Sequence, residues 1–263
     1  MTCATAAAAA LCVLGALAAQ SWGATVTTIA SGLNNPRGLA FDADGDLFVA
    51  EAGAGGTECV PGPRGPQCAG LTGGVSRIDR SHVVHKVLSG MISVSGEGGR
   101  GAEGVEGVAV GEGAALYALL GLSSQQVPPS GFSKAATEKA KAQLGHLFEF
   151  NRSGQSKAIA DVGGYSWKWT GEHKSLVPGQ FPDANPCSVI TRGGEQWLVD
   201  AAANTLDEVE HGVVKELAFI PSPEKNGKAV SDAVPTCLSR GPDGAIYIGQ
   251  LTGAGNGPGA AKI

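Results

Sequence analysis

Short apolar runs separated by turn residues recur along the chain, a pattern typical of β-strands rather than helices. Residues 38–41 and 47–50 are two such runs, joined by Asp-Ala-Asp-Gly. From Asp42 onward, every second residue is an aspartate, as in an EF-hand calcium loop. That loop requires Gly at its sixth position and Glu at its twelfth, but here these positions are Leu47 and Gly53. Since Asp and Gly are the residues of tight turns, the stretch predicts a β-hairpin.

The same hairpin pattern occurs four times. The copies cover residues 35–51, 105–120, 186–200 and 235–250. Each of the first three is followed by a second pair of strand-like runs, at residues 74–78 and 82–88, 146–150 and 157–162, and 206–210 and 213–219. Repeated units of four short antiparallel strands indicate the blades of a β-propeller. An antiparallel sandwich is the alternative, but it gives no reason for units of similar sequence.

The repeats predict an all-β fold of four-stranded antiparallel blades, with about three and a half blades present. Residues 24–30 are predicted to form the outer strand of a closing blade. Residues 259–263 match the start of a third strand in the last unit. Because propellers close with four to eight blades, we expect the native chain to continue past Ile263. Open edges in the present chain should promote aggregation.

Composition agrees with this fold and excludes one class of function. The chain has 263 residues, of which 43% are hydrophobic, enough for a substantial core, and its 41 glycines suit many turns. It has 19 basic and 24 acidic residues without a basic stripe. We therefore do not expect it to bind nucleic acid.

The N-terminus has the pattern of a secretory signal peptide. Residues 6–19 are a run of small apolar residues that is too short to span a bilayer, and Ala16-Leu-Ala18 offers a cleavage site. The run departs from the usual pattern because no Lys or Arg precedes it. The sequence predicts a signal peptide at residues 1–23 and a partial propeller domain at 24–263. A secreted or periplasmic protein without a membrane span is expected.

Four cysteines follow the predicted signal peptide. Cys59 and Cys68 lie nine positions apart in a Pro- and Gly-rich loop, so in an exported protein they are predicted to form a disulfide. Cys187 aligns with Thr236 rather than with Cys237. The two cysteines therefore lie one step out of register on neighbouring strands, and we expect both to remain unpaired.

Three long segments are predicted to meet at one face of the propeller. Residues 52–73 and 121–145 join second to third strands, and residues 163–185 join two blades; these two kinds of connection share one face. Long loops on a rigid scaffold commonly carry function. A short helix is predicted at residues 135–144. Tyr165, Trp167 and Trp169 either stack on a ligand or glycan or pack over the top of the propeller.

Polar residues at the strand ends are the candidates for a site on this face. The binding-face candidates are Asn35, Arg37, Asp183, Asn185 and Asn204. Glu51 and Asp200 occupy equivalent places at the end of the second strand of a blade, where carboxylates could bind calcium or magnesium. The alternative is that these side chains cap strand ends and tie loops together through backbone hydrogen bonds.

The repeats look like NHL-type propeller repeats, and the larger pattern resembles the ScyD/ScyE family of exported bacterial propellers. The stretches that carry the resemblance are residues 32–42, 181–186, 199–204, 232–236 and 241–253. The resemblance covers essentially everything after the signal peptide. It implies an exported propeller of six blades, but it does not imply a settled activity.

Two functions from different classes remain open. The first is a binding or interaction module whose loop-rich face contacts a small molecule, a glycan or a protein. The second is a metal-dependent hydrolase of the lactonase type, with a cation in the central channel and one carboxylate as general base. Its predicted ligands are Glu51, Asn185, Asp200 and Asn204. Since no catalytic constellation such as a G-x-S-x-G elbow occurs, the sequence favours the binding module.

Overall fold

The computed structural model describes residues 25–62, 65–176, 182–225, 228–229, 231–253 and 261–263. The predicted signal peptide at residues 1–23 lies outside them. Within the described residues, the chain folds as a series of β-propeller blades. No helix in this part of the chain is both long and apolar enough to cross a membrane.

Three antiparallel sheets of four or five strands follow one another along the chain. The first contains β1 (Pro36–Phe41), β2 (Leu47–Glu51), β3 (Glu58–Val60), β4 (Gln67–Ile78) and β5 (Val84–Ser95). The second contains β6 (Val105–Val110), β7 (Leu116–Leu120), β8 (His146–Phe150) and β9 (Ser156–Asp161). The third contains β10 (Pro186–Arg192), β11 (Glu195–Asp200), β12 (Thr205–Glu210) and β13 (Val213–Phe219). These sheets are blades one, two and three.

A fourth unit begins after the third blade. A short hairpin, β14 (Glu224–Lys225) and β15 (Lys228–Ala229), precedes the strands β16 (Pro235–Arg240) and β17 (Ile246–Gln250). Lys262 forms an antiparallel bridge with Gln250 of β17, which is where the third strand of this unit was predicted. The described residues also form two α-helices, α1 (Lys134–Gln143) and α2 (Val162–Glu172).

All four predicted hairpins are confirmed, as are the second strand pairs of the first three units. The predicted outer strand at residues 24–30 is wrong for the described residues 25–30, which form no strand. A short apolar run becomes a strand only where another strand offers hydrogen-bond partners. Instead, Ala30 and Leu33 pack on the apolar side chains of Leu47, Val49 and Ile78 in blade one.

The core lies between blades rather than within any one of them. Phe48 of blade one packs with Leu116 and Leu120 of blade two in one cluster. Leu147 of blade two and Leu198 of blade three belong to the next cluster along the chain. All five of these side chains are at most 1% exposed, and complete burial of such a side chain contributes about 1.5–3 kcal/mol. Each blade therefore depends on its neighbour for stability.

The innermost strands approach one another closely, and a glycine makes one approach possible. β6 packs beside both β1 and β10, and β10 packs beside β16. A Cβ atom added at Gly38 of β1 would lie 2.9 Å from the carbonyl oxygen of Glu106 and 3.1 Å from the Cα of Gly107. Both atoms belong to the backbone of β6, so neither can move without shifting a strand.

We expect Gly38→Ala to lower the free energy of unfolding by about 1–3 kcal/mol, because the added methyl group forces two inner strands apart. Gly171→Ala is the matched control, since the nearest atom to a Cβ there is 3.8 Å away and alanine is the better helix former. Urea unfolding should show a lower midpoint for Gly38→Ala and an unchanged or slightly higher midpoint for Gly171→Ala. Equal midpoints for the two variants would show that the strands tolerate the added volume.

Candidate functional site

Hydrogen bonds join the three long segments at one end of the blades. Glu58 of the first segment accepts hydrogen bonds from the backbone N–H and the hydroxyl of Ser133 in the second, at 2.8 and 2.9 Å. The N–H of Leu122 in the second segment donates to Asn185 Oδ1 in the third at 3.0 Å. These contacts confirm that the segments share one face, which we call the loop face.

A disulfide shapes the first long segment. Cys59 and Cys68 are bonded, as predicted, and lie opposite each other in the pairing of β3 with β4. The bond therefore holds the short strand β3 against blade one. Cys187 and Cys237 are free, which confirms the second cysteine prediction.

Helix α1 lies within the second long segment, where the sequence predicted a helix at residues 135–144. Ser133 caps its N-terminus by accepting a hydrogen bond from the N–H of Ala136 at 3.1 Å. Near its C-terminus, buried Gln143 accepts a hydrogen bond from the N–H of Ile92 on β5 at 2.6 Å. Because Glu58 of β3 also binds Ser133, the helix is fixed to blade one at both ends.

A mostly apolar pocket of about 440 Å³ opens on the loop face between β3, the end of β5 and α1. Its lining residues are Val60, Pro61, Gly62, Gln67, Val94, Leu122, Gln126, Val127, Pro128, Phe132, Ala140 and Leu144. Gln126 donates a hydrogen bond from Nε2 to Asp183 Oδ1 at 2.9 Å. Its other amide atom, Oε1, is buried without a hydrogen-bond partner in the described part of the protein.

A second set of polar residues lies where the inner strands begin. In each of the four hairpins, the first strand has one extra residue relative to its partner, a β-bulge. Alignment of the repeats places four unlike residues at this bulge: Arg37, Glu106, Cys187 and Thr236. Bulges redirect side chains and are common beside functional sites. The repeat thus presents a different side chain from each unit at one equivalent position.

Arg37, Glu103 and Glu106 form what we call the inner cluster. Arg37 Nε lies 3.0 Å from Glu106 Oε2, and Arg37 Nη2 donates to the Ala102 carbonyl at 2.7 Å. A Cβ atom at Gly121 would lie 3.2 Å from Glu103 Oε2, so the two glutamate side chains converge on a gap that only glycine leaves open. The same point is 2.9 Å from Glu106 Cγ.

The environment of the inner cluster favours neutral carboxyl groups. Burial, together with the negative charge of Glu106, raises the pKa of Glu103 to about 8, although Arg37 opposes the shift. Burial also raises the pKa of Glu106, against the lowering effect of Arg37. At neutral pH the Glu103 carboxyl is therefore protonated and can donate a hydrogen bond or a proton.

Four of the five predicted binding-face residues are held in hydrogen bonds that tie loops together. Asn35 donates to the carbonyls of Gly53 and Gly99 at 2.7 and 3.0 Å. Asp183 binds Gln126, and Asn185 binds the Leu122 amide. Asn204 binds the carboxylate of Asp232 and accepts from the N–H of Val234 at 2.9 Å. Arg37, the fifth, enters the inner cluster. A ligand-binding role for these residues stays a prediction.

The two carboxylates among the predicted metal ligands, Glu51 and Asp200, lie in different blades, and both are completely buried. Glu51 accepts hydrogen bonds from the Asn34 N–H at 2.7 Å, the Ser76 hydroxyl at 2.5 Å and the Lys86 ammonium group. Asp200 Oδ1 accepts from three backbone N–H groups at 2.9 Å. Among the described residues no group of three or more His, Cys, Asp or Glu side chains is arranged to hold a metal ion. Coordination by Glu51 and Asp200 therefore stays a prediction.

Sequence reasoning missed helix α2, which covers part of the third long segment. Asp161 caps it by accepting a hydrogen bond from the Gly164 N–H at 2.8 Å, and an Asp before an apolar spacing of three and four residues was the available signal. Trp169 is 8% exposed and stacks on His173 with ring centroids 4.3 Å apart. Its ring therefore packs in the structure, which agrees with the packing alternative for the aromatic residues.

Glu103 and Glu106 were also missed. Glu106 occupies the same repeat position as Arg37, and this alignment was the available signal for it. No feature of the sequence marks Glu103, which precedes strand β6. Its position depends on an isolated bridge with Val94 of blade one.

Comparison with known proteins finds solved structures of low sequence identity to this chain. No family profile and no curated protein matches the chain. It is similar to a chain of the nidogen/laminin complex, with 13% identity over 73% of this chain and 49% of that one and a TM-score of 0.41. Virginiamycin B lyase from Staphylococcus aureus is 12% identical over 83% of this chain and 81% of the lyase, with a TM-score of 0.33.

The PQQ-bound aldose sugar dehydrogenase from Streptomyces coelicolor is 13% identical over 89% of this chain and 94% of the enzyme, with a TM-score of 0.28. The chain spans about half the length of the nidogen/laminin chain that it matches.

The raised pKa of Glu103 predicts a pH-dependent stability. A carboxyl group whose pKa is higher in the folded than in the unfolded protein stabilises fully below its unfolded pKa, and this contribution is lost as pH rises through the folded value. Stability should therefore fall between pH 5 and about pH 8, and Glu103→Gln should weaken this decline because glutamine does not ionise. Urea unfolding of both proteins across this range would measure it. Parallel pH profiles would contradict the prediction.

Proposed function

We propose that the chain is an exported propeller of the ScyD/ScyE type that binds a small, largely apolar molecule on its loop face. The observation that carries the proposal is the 440 Å³ pocket between β3, β5 and α1. This volume lies within the range of about 300–1,000 Å³ that is usual for small-molecule sites. The signal-peptide pattern and the disulfide support export.

The lining of the pocket favours an apolar molecule over a glycan. Aliphatic and proline side chains form most of the walls, and one aromatic ring, that of Phe132, is among the lining residues. Glycan sites usually offer polar groups together with aromatic platforms, whereas here Trp169 is committed to packing. Gln67 and Gln126 are the polar side chains among the lining residues. We therefore expect a ligand with a largely apolar body.

The pocket needs no rearrangement to receive a ligand, which is why we favour binding over lactone hydrolysis. For Glu51 to become a metal ligand, it would have to exchange its bonds to Lys86, Ser76 and the Asn34 amide for a cation. Losing the Lys86 partner would leave a buried carboxylate to be neutralised by the ion alone. The walls of the pocket, by contrast, are already fixed by the disulfide and by the contacts of α1.

Filling the pocket should abolish binding. Ala140 lines the pocket from α1 and is 1% exposed, whereas Ala142 of the same helix is exposed. We expect Ala140→Leu to weaken binding of the neutral dye N-phenyl-1-naphthylamine at least about tenfold, equivalent to ~1.4 kcal/mol. Ala142→Leu should leave the affinity unchanged. Dye fluorescence titrations of the three proteins provide the measurement.

Thermal unfolding of both variants would show whether they remain folded. Equal dye affinities for folded Ala140→Leu and wild-type protein would reject the pocket as the binding site. Failure of the wild-type protein to bind the dye or any member of a panel of small apolar compounds would reject the proposed function.

The disulfide should matter to the same pocket. β3 carries both Val60, which lines the pocket, and Glu58, which caps α1 through Ser133. We expect the double variant Cys59→Ser and Cys68→Ser to lose about 2–3 kcal/mol of stability and to bind the dye more weakly, while far-ultraviolet circular dichroism keeps its β-sheet shape. Full dye affinity in the double variant would show that β3 stays in place without the bond.

A further inference from the structure

Three buried side-chain oxygens of helix α2 and blade three have no hydrogen-bond partner in the described part of the chain. They are Asp200 Oδ2, Asp207 Oδ1 and Ser166 Oγ. The two aspartates are 0% exposed and Ser166 is 1% exposed. A buried oxygen without a partner loses its hydration and gains nothing in return. Each of these three atoms would be stabilised by a further partner.

Strand register places the two carboxylates side by side. Asp200 of β11 pairs with Thr205 of β12, and Leu198 pairs with Asp207. Asp200 and Asp207 are therefore diagonal neighbours on one face of blade three, with Cβ atoms roughly 7 Å apart. The second carboxylate oxygen of each aspartate already accepts hydrogen bonds. Asp200 Oδ1 accepts from three backbone N–H groups, and Asp207 Oδ2 accepts from the Thr205 hydroxyl at 2.9 Å.

Ser166 belongs to the face of α2 that is buried with Val162, Trp169 and Thr170. Burial raises the pKa of the Asp200 carboxyl, and the nearby Ser166 hydroxyl opposes that rise, although no hydrogen bond of normal geometry joins Ser166 Oγ to a described atom. Ser166 Oγ can therefore still bind a further partner. The serine thus adds a third oxygen to the two carboxylates.

The surroundings of this group are acidic. The charges of Asp200 and Glu216 add to the effect of burial in raising the pKa of Asp207, and those of Asp200 and Asp232 act with burial on Asp183. Among the described residues, no Lys, Arg or His forms an ion pair with Asp200 or Asp207. Buried carboxylates persist in proteins when they are paired or when they coordinate a cation.

We propose that Asp200, Asp207 and Ser166 bind a divalent cation of the calcium type between blade three and α2. Two carboxylates balance the charge of such an ion, and calcium accepts six to eight oxygen ligands, so waters would complete its shell. The site differs from the channel site expected from sequence, because its second carboxylate is Asp207 of the same blade and not Glu51 of blade one.

The cation would help to hold α2 on the loop face. Thr170 of α2 accepts a hydrogen bond from the Asp183 N–H at 3.0 Å, and Asp183 accepts one from Gln126 of the pocket wall at 2.9 Å. This chain of contacts connects the proposed cation site to the second long segment. The proposal itself does not depend on what the pocket binds.

The test uses the full chain after removal of metals on a chelating resin. At pH 8, we expect calcium chloride to raise the melting temperature in a saturable way, with a dissociation constant near the 10⁻⁴–10⁻³ M of extracellular calcium modules. Terbium should bind the same site and show sensitised emission excited through the aromatic residues of α2. Asp207→Asn should weaken both effects at least about tenfold. Asp44→Asn, which changes an exposed carboxylate in the β1–β2 turn, should change neither.

Ser166→Ala provides a second variant that keeps both carboxylates, and we expect a smaller loss of calcium affinity than for Asp207→Asn.

Three outcomes would overturn the proposal. Calcium, magnesium and terbium could all fail to affect the wild-type protein. Folded Asp207→Asn and Ser166→Ala could keep the wild-type calcium response, which would place the ion elsewhere. Asp207→Asn could raise the stability without any cation dependence, which would show that the carboxyls are neutral or bridged by water alone.

Discussion

Packing between neighbouring blades is the interaction on which the rest of this structure depends. Each blade is a thin antiparallel sheet, and its largest buried residues, such as Phe48, Leu119 and Leu198, belong to clusters shared with the next sheet. A single repeat unit of this kind cannot bury its hydrophobic face alone and needs a neighbour to cover it. The close approach of β1 and β6 at Gly38 follows from the same requirement, because inner strands converge where the blades meet.

This packing determines where function can be located. Turns between first and second strands are short in every hairpin, so the long segments emerge together at the opposite ends of the strands. The chain then stabilises these segments locally. A disulfide holds β3, Glu58 connects β3 to α1, and Gln143 connects α1 to β5. The apolar pocket is the space that these three connections leave between rigid walls.

Polar residues on the loop face divide into two groups. Asn35, Asn185 and Asn204 satisfy backbone groups and so keep the loops in place. Half-buried Glu103 and the fully buried Asp200 and Asp207 are acids whose pKa values are raised, first by burial and then, for Glu103 and Asp207, by a neighbouring acid. Raised pKa values of this kind are concentrated at functional sites. Sequence position alone does not separate the two groups, because residues of both groups lie within three positions of a strand end.

The sequence by itself determined the local elements of this protein. Hairpins follow from alternating apolar residues and Asp-Gly turns, and the Cys59–Cys68 bond follows from two cysteines in one short loop. The loop face follows from counting connection lengths. The tertiary structure decided which distant side chains meet. Ser166 and Tyr165 of helix α2 lie near Asp200 and Asp207, and Glu103 joins Arg37, because of how the blades pack, which no local pattern encodes. Residues from separate blades become neighbours only after that packing is complete.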